Sequence, residues 1–201
     1  MRTGMTIFTA LAMLTVMPSA AKSAATLSPL SQRVPDVATR FCVDILSLKV
    51  SLPADLKKEA KLFARYGLEP GLPKTAMQAL GRDVLLVAQA TLASGKASDG
   101  SFMVALGGRA GQTCRIIVYA TAYDSILATT VHQAMQQSAF GWQNLPVTAQ
   151  PATALKLSLI KRNAKRQPFL TNLLTPNETG SIAMVATVAA IPPQVVIPEG
   201  Y

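Results

Sequence analysis

Three apolar runs in the middle of the chain constrain the possible folds most strongly. They span residues 84–93, 101–106 and 113–121, and the short glycine-bearing segments SGKASDG and GGRAGQ join them. Short links of this composition between apolar runs are typical of antiparallel hairpins. We therefore expect three adjacent antiparallel strands in this part of the chain.

Further strands are predicted in the last third of the sequence. Residues 155–162 alternate apolar and polar side chains, which is the period of a strand. Residues 169–174 and 181–191 flank the turn sequence TPNETG and predict a last hairpin. The C-terminal segment 192–201 is too rich in proline for a central strand, so we expect it to form a tail.

Two helices are predicted before the apolar runs. The first spans residues 28–48, and its apolar residues fall on one face at helical spacing: Val34, Val37, Phe41, Ile45 and Leu48. The second spans residues 53–66, with Ser51 as its cap and Pro53 at its start. Gly67 should end it, with Leu68 folding back on the last turn.

A third long helix is expected at residues 124–139, capped by Asp124 or Ser125, and a short helix at residues 74–80. The order of the longer elements is α-α-β-β-β-α-β-β-β. Strands clustered apart from helices predict an α+β fold, with an antiparallel sheet of about five to six strands packed on one side by helices. A single globular domain should cover residues 26–191.

The N-terminus predicts export. Arg2 precedes a mostly apolar run at residues 7–17, and Pro18 is followed by small residues up to Ala25. This order is typical of a secretory signal peptide covering residues 1–25. A membrane anchor would need roughly 20 apolar residues, more than this run contains. We therefore expect a periplasmic or secreted protein with no transmembrane segment in its mature form.

The two cysteines, Cys42 and Cys114, predict a disulfide bond, because an exported protein meets an oxidising environment. The alternative is a pair of buried free thiols. The two cysteines and the single histidine, His132, supply at most three zinc ligands and lack the local spacing of a zinc site. We therefore expect no metal and no cofactor.

The positive net charge would attract an anionic partner, and the alternative is an exported protein that is merely basic. Removing residues 1–25 takes away Arg2 and Lys22 and lowers the net charge from +9 to +7. The densest basic cluster is Lys161, Arg162, Lys165 and Arg166, in a loop between strands. Together with Lys156 and the basic face of the second helix, this cluster is a candidate anion-binding surface. The alternative is a solvated loop with no partner. No specific nucleic-acid partner is indicated.

Candidate catalytic residues do not assemble into a known pattern. Ser158 and Lys161 match S-x-x-K, but a strand would point them to opposite faces, and no S-D-N or K-T-G partner follows. His132 is the only imidazole, and no nucleophile lies near it in the sequence. The glycine-rich loop at 107–111 leads into a strand, which favours a hairpin turn over a phosphate loop. The glycosylation sequon at Asn177 is equally well explained as a turn.

A helix with Phe41 and Cys42 near its middle precedes the segment LPADLKKEAKLFARYGLEP, and a hairpin then leads into TCRIIV. Over residues 37–140 this arrangement resembles small exported, periplasmic proteins of proteobacteria that carry one cysteine pair. The resemblance implies a bacterial envelope setting and a Cys42–Cys114 bridge. It implies no catalytic residue.

These observations predict a non-catalytic, exported envelope protein that binds a partner or an anionic envelope component. The alternative is a periplasmic hydrolase whose site is assembled around His132 from residues distant in the sequence.

Overall fold

The computed structural model describes the following residues: 28–53, 55–81, 90–107, 113–119, 121, 126–145, 156–176 and 181–197. The predicted signal peptide, the loop at 108–112, the candidate caps Asp124 and Ser125 and the sequon at Asn177 lie outside the described residues. In the described part of the chain, no helix has both the length and the apolar character needed to cross a membrane.

An eight-stranded antiparallel sheet forms the centre of the described structure. Its strands are β1 (Glu69–Pro70), β2 (Thr91–Ala97), β3 (Gly100–Gly107), β4 (Thr113–Tyr119), β5 (Gln143–Asn144), β6 (Lys156–Arg162), β7 (Pro168–Leu174) and β8 (Ile182–Ala190). They lie in the order β1-β2-β3-β4-β8-β7-β6-β5, so two four-stranded meanders meet where β4 pairs with β8. The α+β class is confirmed. The sheet exceeds the expected five to six strands because β1 and β5 are edge strands of two residues each, too short to produce a pattern.

The first helix is continuous but changes its geometry along its length. It consists of α1 (Pro29–Asp36), a π-helical segment (Val37–Cys42) and α2 (Val43–Leu46). Ser28 caps it, and its side chain accepts a hydrogen bond from the Ser31 backbone N–H. Pro35 lies inside α1 and lacks the backbone N–H that an α-helix requires, and the wider π turn follows it. Leu48, predicted to lie on the buried face, is 83% exposed because the helix ends at Leu46.

The second predicted helix is α3 (Leu56–Arg65), and it starts later than expected. Its cap is Asp55, whose carboxylate accepts the backbone N–H groups of Lys57 and Lys58 at 2.9 and 3.0 Å. The predicted cap at Ser51 is therefore wrong, because one carboxylate satisfies two otherwise unpaired donors of the first turn. The predicted end at Gly67 is confirmed, and Leu68 folds back into the core.

The last two helices are α4 (Lys74–Leu80) and α5 (Leu127–Met135), and helices cover both faces of the sheet. The first helix, α3 and α5 pack on the face that carries Phe102 and Val104. On α4, Ala76 and Leu80 pack on the opposite face, against a separate cluster that includes Met103. The expectation of helices on one side only is wrong for α4. Successive strand residues point to opposite faces, and β3 is apolar on both.

Part of the segment predicted as a link, SGKASDG, belongs to β2. The strand runs through Gly95, and the ring of Phe102 on β3 occupies the space that a Cβ at Gly95 would need. Glycine is required here by close packing within the strand rather than by a turn. The turn itself follows at Ser98 and Asp99, and the Asp99 carboxylate accepts the Leu30 backbone N–H at 3.0 Å.

The predicted Cys42–Cys114 disulfide is confirmed. It joins the π-helical segment of the first helix to β4, with the two Cα atoms 5.6 Å apart. Both residues are fully buried. The bridge connects residues 72 positions apart and holds the first helix against the centre of the sheet.

Candidate anion-binding surface

The four predicted loop cations do not form one cluster. The loop joins β6 to β7, and the Asn163 side-chain oxygen shapes it by accepting the backbone N–H groups of Lys165 and Gln167, both at 3.0 Å. Lys165 and Arg166 are exposed at this turn. Arg162 is also exposed, and its guanidinium donates to the backbone carbonyl of Arg166 at 3.3 Å.

Lys161 is directed away from the other three cations. It pairs with Phe169 on the sheet face that the first helix, α3 and α5 cover, and its Nζ donates to the backbone carbonyl of Phe140. Burial lowers the pKa of the Lys161 ammonium. The side chain therefore holds the turn that follows α5 rather than facing an external anion.

Ser158 lies on the other face of the sheet from Lys161, as the strand periodicity predicted. Ser158 pairs in register with Asn172, and their side-chain oxygens are 2.8 Å apart in a hydrogen bond. The S-x-x-K pattern is therefore a coincidence of strand sequence, because its two functional groups lie on opposite sides of the backbone.

Helix α3 presents the stronger concentration of positive charge. Four of its residues are exposed cations: Lys57, Lys58, Lys61 and Arg65. With 3.6 residues per turn, they occupy an arc of about 100°. The opposite side of α3 is buried in the core through Leu62 and Phe63. The packing of that side fixes the basic face of the helix toward solvent.

The cations of α3 have no acidic partner among the residues that the structure describes. The ion pairs found there are Arg33–Asp36, Arg40–Asp36 and Lys49–Asp44. Lys57, Lys61 and Arg65 are spaced four residues apart, so they repel one another along the helix. Like-charge pairs at this spacing destabilise an isolated helix by about 0.2–0.5 kcal/mol each. The arrangement therefore opposes helix stability.

A small cavity connects the end of the first helix to the loop. Its volume is about 290 Å³, and its lining residues are Val43, Asp44, Ser47, Lys49, Asn163, Ala164 and Lys165. Lys49 and Lys165 both line it. The Lys49 ammonium is 3.0 Å from a carboxylate oxygen of Asp44. The sequence pattern did not single out Lys49, because its proximity to Lys165 arises only in the folded chain.

The same Asp44 links this cavity to α3. Its second carboxylate oxygen accepts the hydroxyl of Tyr66, the residue after α3, at 3.0 Å. Burial and this hydrogen bond raise the pKa of the Tyr66 hydroxyl. We define the basic surface as the α3 cations with the two cavity lysines: Lys49, Lys57, Lys58, Lys61, Arg65 and Lys165.

His132 lies on α5, among amide side chains. The Gln136 amide nitrogen is 3.1 Å from Nδ1, and Asn144 also bonds the ring. Burial lowers the pKa of the His132 imidazole, and the hydrogen bond to Asn144 opposes that shift. These partners are neither nucleophile nor acid. Over the described residues, no group of three potential ligands among histidine, cysteine, aspartate and glutamate could hold a metal ion.

Comparison of the chain with models of protein families, with curated proteins and with solved structures found no match.

Proposed function

We propose that this protein is exported to the bacterial periplasm, or secreted, and that its basic surface binds an anionic component of the envelope without catalysing a reaction. The observation that carries the proposal is the row of exposed cations on α3, which have no acidic partner in the described part of the chain. Their mutual repulsion is relieved when an anion binds, because a bound negative charge lies close to several of them at once.

The contact is electrostatic in character. Leu62 and Phe63 keep the apolar side of α3 in the core, so the helix cannot turn that side toward a membrane. Amphipathic helices that lie in a bilayer use such a side for insertion. The attraction between the exposed cations and an anion is screened by salt beyond about 8 Å at physiological ionic strength. Binding should therefore weaken as the salt concentration rises.

Export is supported by the sequence of residues 1–25 and by the disulfide, since disulfides persist in oxidising compartments. Intact-mass measurement of the protein from the periplasmic fraction or the medium tests it. We expect cleavage after Ala25 or Ala21. Retention of Met1 in a cytoplasmic protein would contradict export.

The binding function is tested by Lys61→Glu, at the centre of the α3 row. The glutamate replaces two repulsive contacts, with Lys57 and Arg65, by attractive ones, so the free energy of unfolding should rise by about 0.5–1 kcal/mol. Affinity for an anionic ligand should nevertheless fall about thirtyfold, because the substitution changes the charge by two units and each charge near a charged surface contributes about 1 kcal/mol. Binding is measured separately with vesicles that contain phosphatidylglycerol and with alginate, an acidic polysaccharide.

Lys74→Glu is the matched control. Lys74 is an exposed lysine at the start of α4, on the other face of the sheet, and its replacement changes the net charge equally. We expect the control to bind nearly as well as the wild type. Equal losses in both variants would show that only net charge matters, and unchanged binding in Lys61→Glu would contradict the proposed surface.

A further inference from the structure

The turn that ends the first helix places Lys49 beside Asp44. The Leu48 backbone N–H donates to the Ile45 carbonyl at 3.1 Å, and the Lys49 N–H donates to the Asp44 carbonyl at 3.0 Å. Leu48 takes the left-handed position of this helix end, with φ 56°. The chain therefore turns back on the helix, and the Lys49 ammonium lies 3.0 Å from one carboxylate oxygen of Asp44.

Helix α3 ends in a similar turn beside the same carboxylate. The Gly67 N–H donates to the Ala64 carbonyl at 3.0 Å, and Gly67 has φ 65°, so it occupies the position equivalent to Leu48. Tyr66 directly precedes Gly67 and donates its hydroxyl to the second oxygen of Asp44. Two helix ends therefore meet at Asp44, which lines the cavity of about 290 Å³.

The loop between β6 and β7 supplies the other lining residues, Asn163, Ala164 and Lys165. The Asn163 backbone N–H donates to the Gln167 carbonyl at 3.0 Å, and its carbonyl accepts the Arg166 N–H at 2.9 Å. Together with the two bonds that the Asn163 side chain accepts, they fix the conformation of the loop. The cavity thus lies between two hydrogen-bonded turns, so a ligand does not have to order it on binding.

The cavity can donate to an anion and also accept from hydroxyl groups. Two ammonium groups and one carboxylate line it, so its net charge is +1. Lys165 has no ion-pair partner among the described residues, and Lys49 uses one of its three N–H donors on Asp44. A carboxylate offers about four acceptor sites, and Lys49 and Tyr66 occupy two of those of Asp44.

We infer that the cavity binds one unit of an acidic polysaccharide, an inference that rests on the proposed function. The carboxylate of the sugar contacts the ammonium groups of Lys49 and Lys165, and its hydroxyls donate to Asp44. Phosphate monoesters fit less well, because the Asp44 carboxylate repels their second negative charge. Small-molecule sites span about 300–1,000 Å³, so a cavity at the lower end of this range suits a single sugar ring.

A polymer connects the cavity with the α3 cations. Arg65 is the last cation of α3, and the next residue, Tyr66, bonds to Asp44, so this end of the helix lies next to the cavity. A polysaccharide with one carboxylate per unit places one unit in the cavity and a neighbouring unit near Arg65. Vesicles of phosphatidylglycerol attract the α3 cations by charge and are the contrasting probe.

Calorimetric titration of the exported protein with mannuronate oligomers, which are fragments of alginate, tests the inference. Asp44→Asn removes the charged acceptor for the sugar hydroxyls and should weaken binding about tenfold. The direction is diagnostic, because the variant is more positive and charge attraction alone would strengthen binding. Asp36→Asn is the matched control, since Asp36 lies on the same helix and does not line the cavity. It raises the charge equally and should bind at least as well as the wild type.

Ala164→Leu tests the cavity without a change in charge. Ala164 is an exposed lining residue, so a larger side chain there fills part of the space that the sugar needs. We expect oligomer binding to fall about tenfold while binding to phosphatidylglycerol vesicles stays as in the wild type. A melting temperature equal to that of the wild type shows that the lost binding does not come from unfolding.

The outcomes separate this inference from the proposed function. If Asp44→Asn and Ala164→Leu bind the oligomer as well as the wild type or better, while Lys61→Glu binds alginate weakly, the cavity site is overturned and the basic surface stands. If the wild type binds vesicles and not the oligomer, the partner is a lipid surface and the polysaccharide inference is overturned. If the wild type binds neither ligand, both proposals fail.

Discussion

Leu48 and Gly67 occupy equivalent positions in two turns, and substitutions at them should change stability in opposite directions. Leu48→Gly removes the strain of a left-handed leucine and should raise the free energy of unfolding by about 1 kcal/mol. Gly67→Ala should lower it, because a Cβ there would meet the Arg33 guanidinium, which donates to the Tyr66 and Gly67 carbonyls. Urea denaturation measures both changes. A loss of stability in Leu48→Gly would show that the leucine serves folding.

His132 should make stability depend on pH below neutrality. Burial lowers the pKa of the folded imidazole below its ordinary value of about 6.5, so between these two pKa values the unfolded chain binds more protons. The free energy of unfolding should therefore rise with pH through this window and level off above pH 6.5. His132→Gln should remove that slope in urea denaturation at pH 5 to 7. If the free energy of unfolding of the variant has the same slope against pH, other groups cause the pH dependence.

At the scale of elements, two substitutions test which residue caps the start of α3. Asp55→Ala should lower the free energy of unfolding by about 1 kcal/mol, because two backbone N–H groups of the first turn lose their acceptor. Ser51→Ala should leave it nearly unchanged, since Ser51 precedes the helix. Thermal and urea denaturation of the two variants decide whether Asp55 or Ser51 caps the helix. A larger effect from Ser51→Ala would restore the cap expected from the sequence.

The sequence predicted the long elements well, because periodicity and turn residues are local. It predicted the end of α3 at Gly67 and five of the six long strands, but the run predicted for the first of them, 84–93, overlaps β2 only at residues 91–93. It could not predict the two-residue edge strands β1 and β5, which exist only through pairing with β2 and β6. It also took Gly95 as part of a link, because the Phe102 ring that requires glycine there comes from the neighbouring strand.

The candidate surface was predictable only in part, because some of its features depend on contacts between segments that are distant in the sequence. The basic face of α3 follows from helical spacing within ten residues. The direction of Lys161 depends on a carbonyl at Phe140, and the proximity of Lys49 to Lys165 depends on the packing of the first helix beside the loop. Leu48 was expected to lie in the core, because periodicity does not show that the helix ends two residues before it.

At the scale of the whole molecule, the disulfide should contribute strongly to stability. It closes a span of 72 residues between the first helix and the centre of the sheet. The variant in which both Cys42 and Cys114 are alanine should lose about 2–4 kcal/mol in free energy of unfolding. Urea denaturation of the exported protein and of the variant measures the difference. Two titratable thiols in the native, unreduced protein would contradict the bridge.

The central claim is that charge on the basic surface holds the protein to an anionic envelope component. Its most direct test is the affinity of the exported protein for phosphatidylglycerol vesicles, measured from about 50 to about 300 mM salt, beside Lys61→Glu and Lys74→Glu. Screening should weaken wild-type binding steeply over this range, and Lys61→Glu should show both lower affinity and a shallower salt dependence than Lys74→Glu. Binding that does not change with salt, or that is the same in both variants, would contradict the account.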